Sequence, residues 1–419
     1  MGKAITEKIL SDHSEQKDFK PGDIIDVKVD FLLTNDISGP VAVQEFEKMG
    51  DGELFDNNRV AIVLDHFTPN KDVVSANVSK TMRDFAKSKG ITHFYDAGYG
   101  IEHVILPKDG MVKSGDLVIG GDSHTTTYGA LGAFSTGVGS TDVAGIMALG
   151  TTWLRVPEQM KFVLKGKPDK WINGKDIIVY IISKIGTDGA LGKSMEITGD
   201  GVKYFDMDSR FTICNMGIEA GALNCIFNFD EITEIYEKNA GVSNYKIYKS
   251  DEDAEYDYVM EINLEELQPM VAAPHMPSNG RPVTELSDVN IDQVVIGSCT
   301  NGRIGDLRTA AQVVKGKKVS PNVRALLIPG SREVYLMALR EGLIEIFTES
   351  GFTVCSPSCG PCFGGHLGIL GRGERCVSTT NRNFVGRMGD KSSEVYLASP
   401  AVAAATAITG KITSPTEVA

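Results

Sequence analysis

What most constrains this chain is a repeated alternation of short apolar runs with helical stretches, each run closing on a polar cluster. Residues 59–64 (RVAIVL) run into Asp65-His66, and residues 117–120 (LVIG) run into Gly121-Asp122-Ser123-His124. Between them, residues 79–89 carry a helical pattern. Strand-like runs alternating with helices predict parallel α/β units. In such sheets ligand groups stand just beyond the carboxyl ends of the strands, where both polar clusters fall.

A chain of 419 residues exceeds what one hydrophobic core usually holds. We expect three α/β segments, at 1–155, 156–282 and 283–419. The second begins with VPEQMKFVLKGKP and contains an acidic loop at 251–257; the third begins with a strand at 291–296. Residues 130–150 are rich in Gly, Ala, Ser and Thr and read either as a tightly packed loop and helix or as a ligand-facing loop. The net charge of −13 repels phosphate backbones, so no nucleic-acid partner is expected, although a few arginines can still hold a small anion. There is no apolar run of membrane-spanning length, so no membrane partner is expected either. The start, MGKAITEKIL, lacks the apolar centre of a secretory signal, which makes the cytoplasm the expected compartment.

The seven cysteines are then expected as free thiols or metal ligands rather than a disulfide framework. Two motifs concentrate them. VIGSCTNGR (295–303) is an apolar strand ending in a small-residue turn with Cys299 at its mouth, and SPSCGPCFGG (356–365) sets Cys359 and Cys362 in a Gly/Pro turn. Proline fixes φ and glycine admits close backbone approach, so such a loop can aim sulfurs and N–H groups at one point. Three thiolates would leave one iron of a cubane cluster open, whereas structural zinc prefers four ligands and a redox pair needs two. Cys355 and Cys376 are close enough in sequence to supply a fourth ligand, so spacing alone leaves cluster, zinc, redox and packing roles open.

Both cysteine motifs resemble signature segments of the aconitase superfamily. So do TTNRNFVGR (379–387), GGDSHT (120–125) and ICNMGIE (213–219), in the same order and across essentially the whole chain. The resemblance implies a three-domain aconitase-type core of parallel-rich α/β sheets with flanking helices, lacking the mobile swivel domain. It implies a [4Fe–4S] cluster with one non-cysteinyl iron, held by Cys299, Cys359 and Cys362 and not by Cys214, Cys225, Cys355 or Cys376. Asp65 and His66 would form the acid that protonates a departing hydroxyl. His103, Asp122 and His124 would line the open face of the cluster, with Glu219 paired to His124 and with Asn215 and Asn381 donating to the cluster. Ser123, Arg382 and Arg387 would grip a substrate carboxylate. His13, His93, His275 and His366 are read as structural.

The implied reaction is dehydration and rehydration of a small hydroxy-dicarboxylate. DHFTPNKD, GIEHVILP and TYGALGAFSTGVGSTD look most like the bacterial and archaeal isopropylmalate type, in which 2- and 3-isopropylmalate interconvert through isopropylmaleate in leucine biosynthesis. Homoaconitate-type and dimethylmalate- or citramalate-type chemistry are the alternatives, with a zinc or thiol protein and an RNA-binding regulator as the more distant ones. Thr126 stands where many relatives carry cysteine, and Gly192 where an aromatic is common. No segment remains for the swivel domain and its base, so a separate small subunit is expected, in a heterodimer or heterotetramer.

Overall fold

Strands that are apolar on both faces need cover on both faces, and this chain provides it in three parallel-rich sheets. The structure, a computed structural model describing residues 2–50 and 52–419, places the first sheet in the order His93–Tyr95, Val60–Val63, Phe31–Asn35, Leu117–Gly120, Phe134–Gly137, all parallel. An antiparallel ribbon, Ile24–Lys28 with Thr151–Arg155, flanks it. The second sheet, also parallel, runs Asn224–Phe227, Ser194–Thr198, Gln159–Lys165, Tyr258–Asn263. The third has seven strands: Gly280–Pro282, Met270–Ala272, Glu394–Ala398, Arg375–Ser378, Gln293–Gly297, Arg324–Ile328 and Thr353–Val354. Its last five are parallel and its first two antiparallel. No helix among the described residues is long and apolar enough to cross a membrane.

Three expectations are corrected. The boundary at 282/283 divides a sheet, because Val271 pairs with Ala398 and Val271 also faces Arg281. Residues 270–282 therefore belong with the third segment. Their strands are three residues each, separated by a segment holding Pro274 and Pro277, so they carry no strand period. Pro282 sits on the edge strand, where a missing N–H is tolerated. Residues 130–150 hold a strand, Phe134–Gly137, between the loop and the helix Ser140–Leu149. The helix read at 79–89 starts earlier, at Val73. Asp72 caps it by accepting from the Ser75 N–H at 2.8 Å, while the exposed Val73 and Val74 mask the periodicity of its first turn.

The first and second sheets share one core, and the segment carrying the DSHT residues joins them. Ser123–Leu131 forms a 3₁₀ helix with Tyr128, Ala130 and Leu131 fully buried. A Cβ at Gly129 would sit 1.7 Å from the Cys225 carbonyl oxygen, so only glycine lets this helix lie against the strand Asn224–Phe227. Gly129→Ala should therefore cost about 1–3 kcal/mol. It should lower the urea midpoint of the purified chain without changing the m-value; an unchanged midpoint would show that the two sheets separate freely there.

Candidate active site

The polar clusters of the first sheet and the cysteine loops of the third meet over one cavity of about 320 Å³. Asp36 follows the strand Phe31–Asn35, Asp65-His66 follows Val60–Val63 and Asp122-Ser123-His124 follows Leu117–Gly120. From the third sheet, Cys299 follows Gln293–Gly297 and Asn381-Arg382 follows Arg375–Ser378. Cys359 and Cys362 lie on the loop after Thr353–Val354. Eleven of the residues named from sequence line the cavity: His66, His103, Asp122, Ser123, His124, Cys299, Cys359, Cys362, Asn381, Arg382 and Arg387. Asp65, Asn215 and Glu219 stand one contact behind them. A larger groove of about 430 Å³, beside Trp153 and Leu191, contains none of these groups.

The three thiols are all buried. Asn215 donates to the Cys299 sulfur at 3.2 Å and Asn381 at 3.4 Å, while Ser298 Oγ lies 3.6 Å from that of Cys362. Ser298 adopts φ +75°, a strained conformation for a residue with a side chain, forced by the turn that presents Cys299. Cys355 and Cys376 do not line the cavity; Cys376 is buried in the strand Arg375–Ser378 with its thiol on the Val377 carbonyl. Burial raises the Cys359 thiol well above its ordinary pKa, and burial with the neighbouring Cys362 pushes Cys299 up to about 12. Such thiols give up their protons to a metal rather than to water.

Opposite them stands a set of acids and bases. The His66 Nδ1–H donates to Asp65 Oδ1 at 2.6 Å, leaving Nε2 toward the cavity, 3.8 Å from Asp122 Oδ2. Burial opposes its charged form, but the Cys359 sulfur and the Asp65 carboxylate outweigh burial and hold its pKa well above the usual value. His103 is the reverse case. Burial lowers its pKa, so the neutral ring donates from Nε2 to Asp122 at 2.9 Å and accepts from Tyr128 Oη at 3.1 Å. Burial also works against a charged Asp122, yet hydrogen bonds from His103 and His124 keep its pKa well below the carboxylate range.

Two arginines close one side. Arg382 donates from Nε to Glu219 at 2.7 Å, and the same Glu219 oxygen accepts from His124 Nε2 at 2.9 Å. Arg387 donates from Nε to the Cys362 carbonyl at 2.7 Å. Each is anchored through Nε, which leaves the paired terminal nitrogens, the fork that grips a carboxylate, for the cavity.

The sequence pattern described as "Aconitase family (aconitate hydratase)" matches residues 7–288 and 281–410. Proteins described as "3-isopropylmalate dehydratase large subunit" align over the full length of both chains: that of Acetivibrio thermocellus is 58% identical over 418 residues and that of Clostridioides difficile 58% over 424. This chain belongs to the aconitase family. A crystal structure of Thermococcus kodakaraensis aconitase X is 12% identical and superposes with a TM-score of 0.51, covering 88% of this chain and 89% of that one, a likeness of fold.

Within this aconitase-family site, several residues had no role assigned from sequence. Asp36 accepts from the N–H groups of His66 and Phe67 at 3.0 and 2.7 Å and so shapes the acid loop. Glu102, just before His103, is fully buried and donates its N–H to Asp65 at 2.8 Å. Arg303, the last residue of GSCTNGR, donates to the His103 carbonyl at 2.6 Å and stacks on Phe211. His366, read as structural, donates to the His66 carbonyl at 3.0 Å. Lys175, fully buried, reaches the backbone beside Asn381. Of these, Arg303 and Glu102 lay inside segments singled out from sequence; Asp36, His366 and Lys175 are distant in sequence from what they support.

The Asp65–His66 pairing has a titratable consequence. A folded-state pKa above the unfolded value, about 6.5, stabilises the fold fully below that pH. The contribution is then lost as pH rises through the folded value. Asp65→Asn removes a raising charge, so His66 in the metal-free variant should titrate at lower pH by histidine-resolved NMR, with a smaller loss of stability on the alkaline side. A pKa equal to or above wild type would show that Asp65 does not govern this ring.

Proposed function

We propose that this chain is the large subunit of a 3-isopropylmalate dehydratase. It would hold a [4Fe–4S] cluster on Cys299, Cys359 and Cys362 and interconvert 2- and 3-isopropylmalate in leucine biosynthesis, together with a separate small subunit. One observation carries the reading: three buried thiols, an Asp–His acid and two Nε-anchored arginines converge on a single cavity. Relatives 58% identical over their whole length are described by that name.

The donor set suits a cluster with one free corner. Asn215 and Asn381 aim N–H groups at the Cys299 sulfur, as second partners of a cluster thiolate do. A lone zinc ion fits less well. Among the described residues two trios close their donor atoms within 4.8 Å: Glu102, His103 and Asp122, which would leave all three thiols unused, and Asp65, His66 and Cys359, where an ion would break the 2.6 Å Asp65–His66 hydrogen bond and leave two thiols unused. When bound, the cluster would supply a Lewis-acidic iron for a substrate carboxylate and the hydroxyl beside it.

The chain's own residues do the remainder. The terminal nitrogens of Arg382 and Arg387, with the Ser123 hydroxyl, hold a substrate carboxylate. His66, kept protonated by Asp65, gives its Nε2 proton to the departing hydroxyl, which leaves as water. The neighbouring C–H proton goes to a base on the small subunit, and rehydration reverses these roles at the adjacent carbon. Exposed Ile37 and partly exposed Phe363 are the apolar side chains this cavity offers to an isopropyl group. The site works in the cytoplasm, where thiols stay reduced.

Two measurements test this. After anaerobic reconstitution, Cys299→Ser, Cys359→Ser and Cys362→Ser should each lose the sulfide-to-iron absorbance, while Cys355→Ser and Cys376→Ser keep it. A full cluster in any of the first three would remove the ligand assignment. The chain co-expressed with its small subunit should turn over 2-isopropylmalate at least about tenfold faster than citrate, homocitrate or 2,3-dimethylmalate, the scale on which apolar pockets discriminate. It should be nearly inactive alone. Preference for another of these acids would reassign the substrate, and full activity of the chain alone would eliminate the small subunit.

A further inference from the structure

Lys175 opens the helix Gly174–Ile185, and its side chain is fully buried. Its ammonium donates to the carbonyls of Thr379 and Thr380, both at 2.8 Å, and lies 3.3 Å from the Met216 sulfur. None of these partners is charged. The nearby carboxylates are engaged elsewhere: Asp176 accepts from the N–H groups of Met270 and Asn173, and Asp306 from Asn301 and Arg303. Among the described residues the ammonium has no ion-pair partner, and an unpaired buried charge is strongly disfavoured.

No side chain among the described residues supplies the anion that would compensate it, but Lys175 bonds to the carbonyl of Thr380, the residue before the cavity-lining Asn381. Burial lowers the Lys175 pKa to about 7, and the influences opposing burial come first from Cys299 and Cys362. A cubane core of charge 2+ on three thiolates carries a net charge of −1. Two carbonyls alone would not demand a cation, since a neutral amide could satisfy them. The backbone they belong to leads directly into Asn381, which donates to Cys299, and Arg382.

We propose that Lys175 is the counter-charge of the cluster, a positioning residue whose ammonium, fixed by Thr379 and Thr380, offsets the negative charge of the thiolate-bound centre and raises its reduction potential. This rests on the cluster reading above. A nearby positive charge favours the reduced state, so removing it makes oxidation, and with it loss of iron, easier.

The test uses the full chain, reconstituted anaerobically, as wild type, Lys175→Arg, Lys175→Gln and Lys175→Met. Iron and sulfide content is measured first; a wild type that takes up neither refutes the cluster reading itself. With wild type loaded, midpoint potentials come from a mediated redox titration followed by EPR, and iron release is timed after exposure to air. Lys175→Gln and Lys175→Met are expected to shift the potential downward and to release iron several-fold faster, with Lys175→Arg close to wild type. Failure of both neutral variants to load, while they melt like metal-free wild type and Lys175→Arg loads, supports the same conclusion. Wild-type potential and iron retention in Lys175→Gln or Lys175→Met overturn the proposal. So does a melting temperature of both metal-free neutral variants far below wild type, which would make the lysine's role structural.

Discussion

Two backbone carbonyls join the halves of this site. The carbonyl of Asp65 accepts from the Cys359 N–H and from the Ser358 hydroxyl, both at 2.9 Å, and the carbonyl of His66 accepts from His366 at 3.0 Å. The acid pair belongs to the first sheet and the cysteine loop to the third, so these contacts fix the His66 ring relative to the thiols across nearly three hundred residues of sequence. Buried carbonyls without donors are costly, which makes the register between the loops specific. Any shift that carried the thiols away from His66 would leave both carbonyls unmatched.

The same economy governs the ionisable groups. The cavity collects carboxylates, histidines, thiols and guanidiniums in surroundings that penalise each charge, and nearly every one is matched by geometry. Asp65 is matched to His66, Asp122 to His103 and the His124 N–H, and Glu219 to both His124 and Arg382. Shared acceptors make the set cooperative, since moving Glu219 would release a histidine and a cavity-lining arginine together. Lys175 departs from the pattern, and its isolation is what draws attention to a partner outside the polypeptide.

Much of this was legible in the chain itself, for a physical reason. Parallel strands place their ligand groups in the few residues after the strand, so DH, DSH and SCTN stood beside their strands as contiguous words, whereas Asn381 and Arg382 were named through the family resemblance. Glycines and prolines around Cys359 and Cys362 likewise announced a loop built to aim them. What sequence hid were contacts made at long range. Lys175 opens an amphipathic helix and reads as an ordinary exposed first-turn residue until the fold drives it into the interior. His366 is one histidine in a glycine-rich stretch, and its partner is a backbone carbonyl, which has no sequence identity. Residues 270–282 were left in the second segment because their pairing is imposed by the third sheet rather than by any period of their own.

Glu102 and Asp122 show how one environment can set two carboxyl groups to opposite tasks. Asp122 accepts at one oxygen from His103 and from the His124 N–H, so its anion is stabilised despite burial. Glu102 receives only the Asn35 amide at 2.9 Å, its other oxygen has no partner, and burial together with the negative charges of Asp65 and Asp122 raises its pKa well above the ordinary range. Two adjacent anions in that space would repel, and the raised pKa of Glu102 beside the lowered one of Asp122 eases that conflict. Divergent acidities of neighbouring carboxyls are how a site holds a fixed anion and a stored proton together. Here the Asp122 anion lies 3.8 Å from the His66 ring, where its charge favours the charged imidazole.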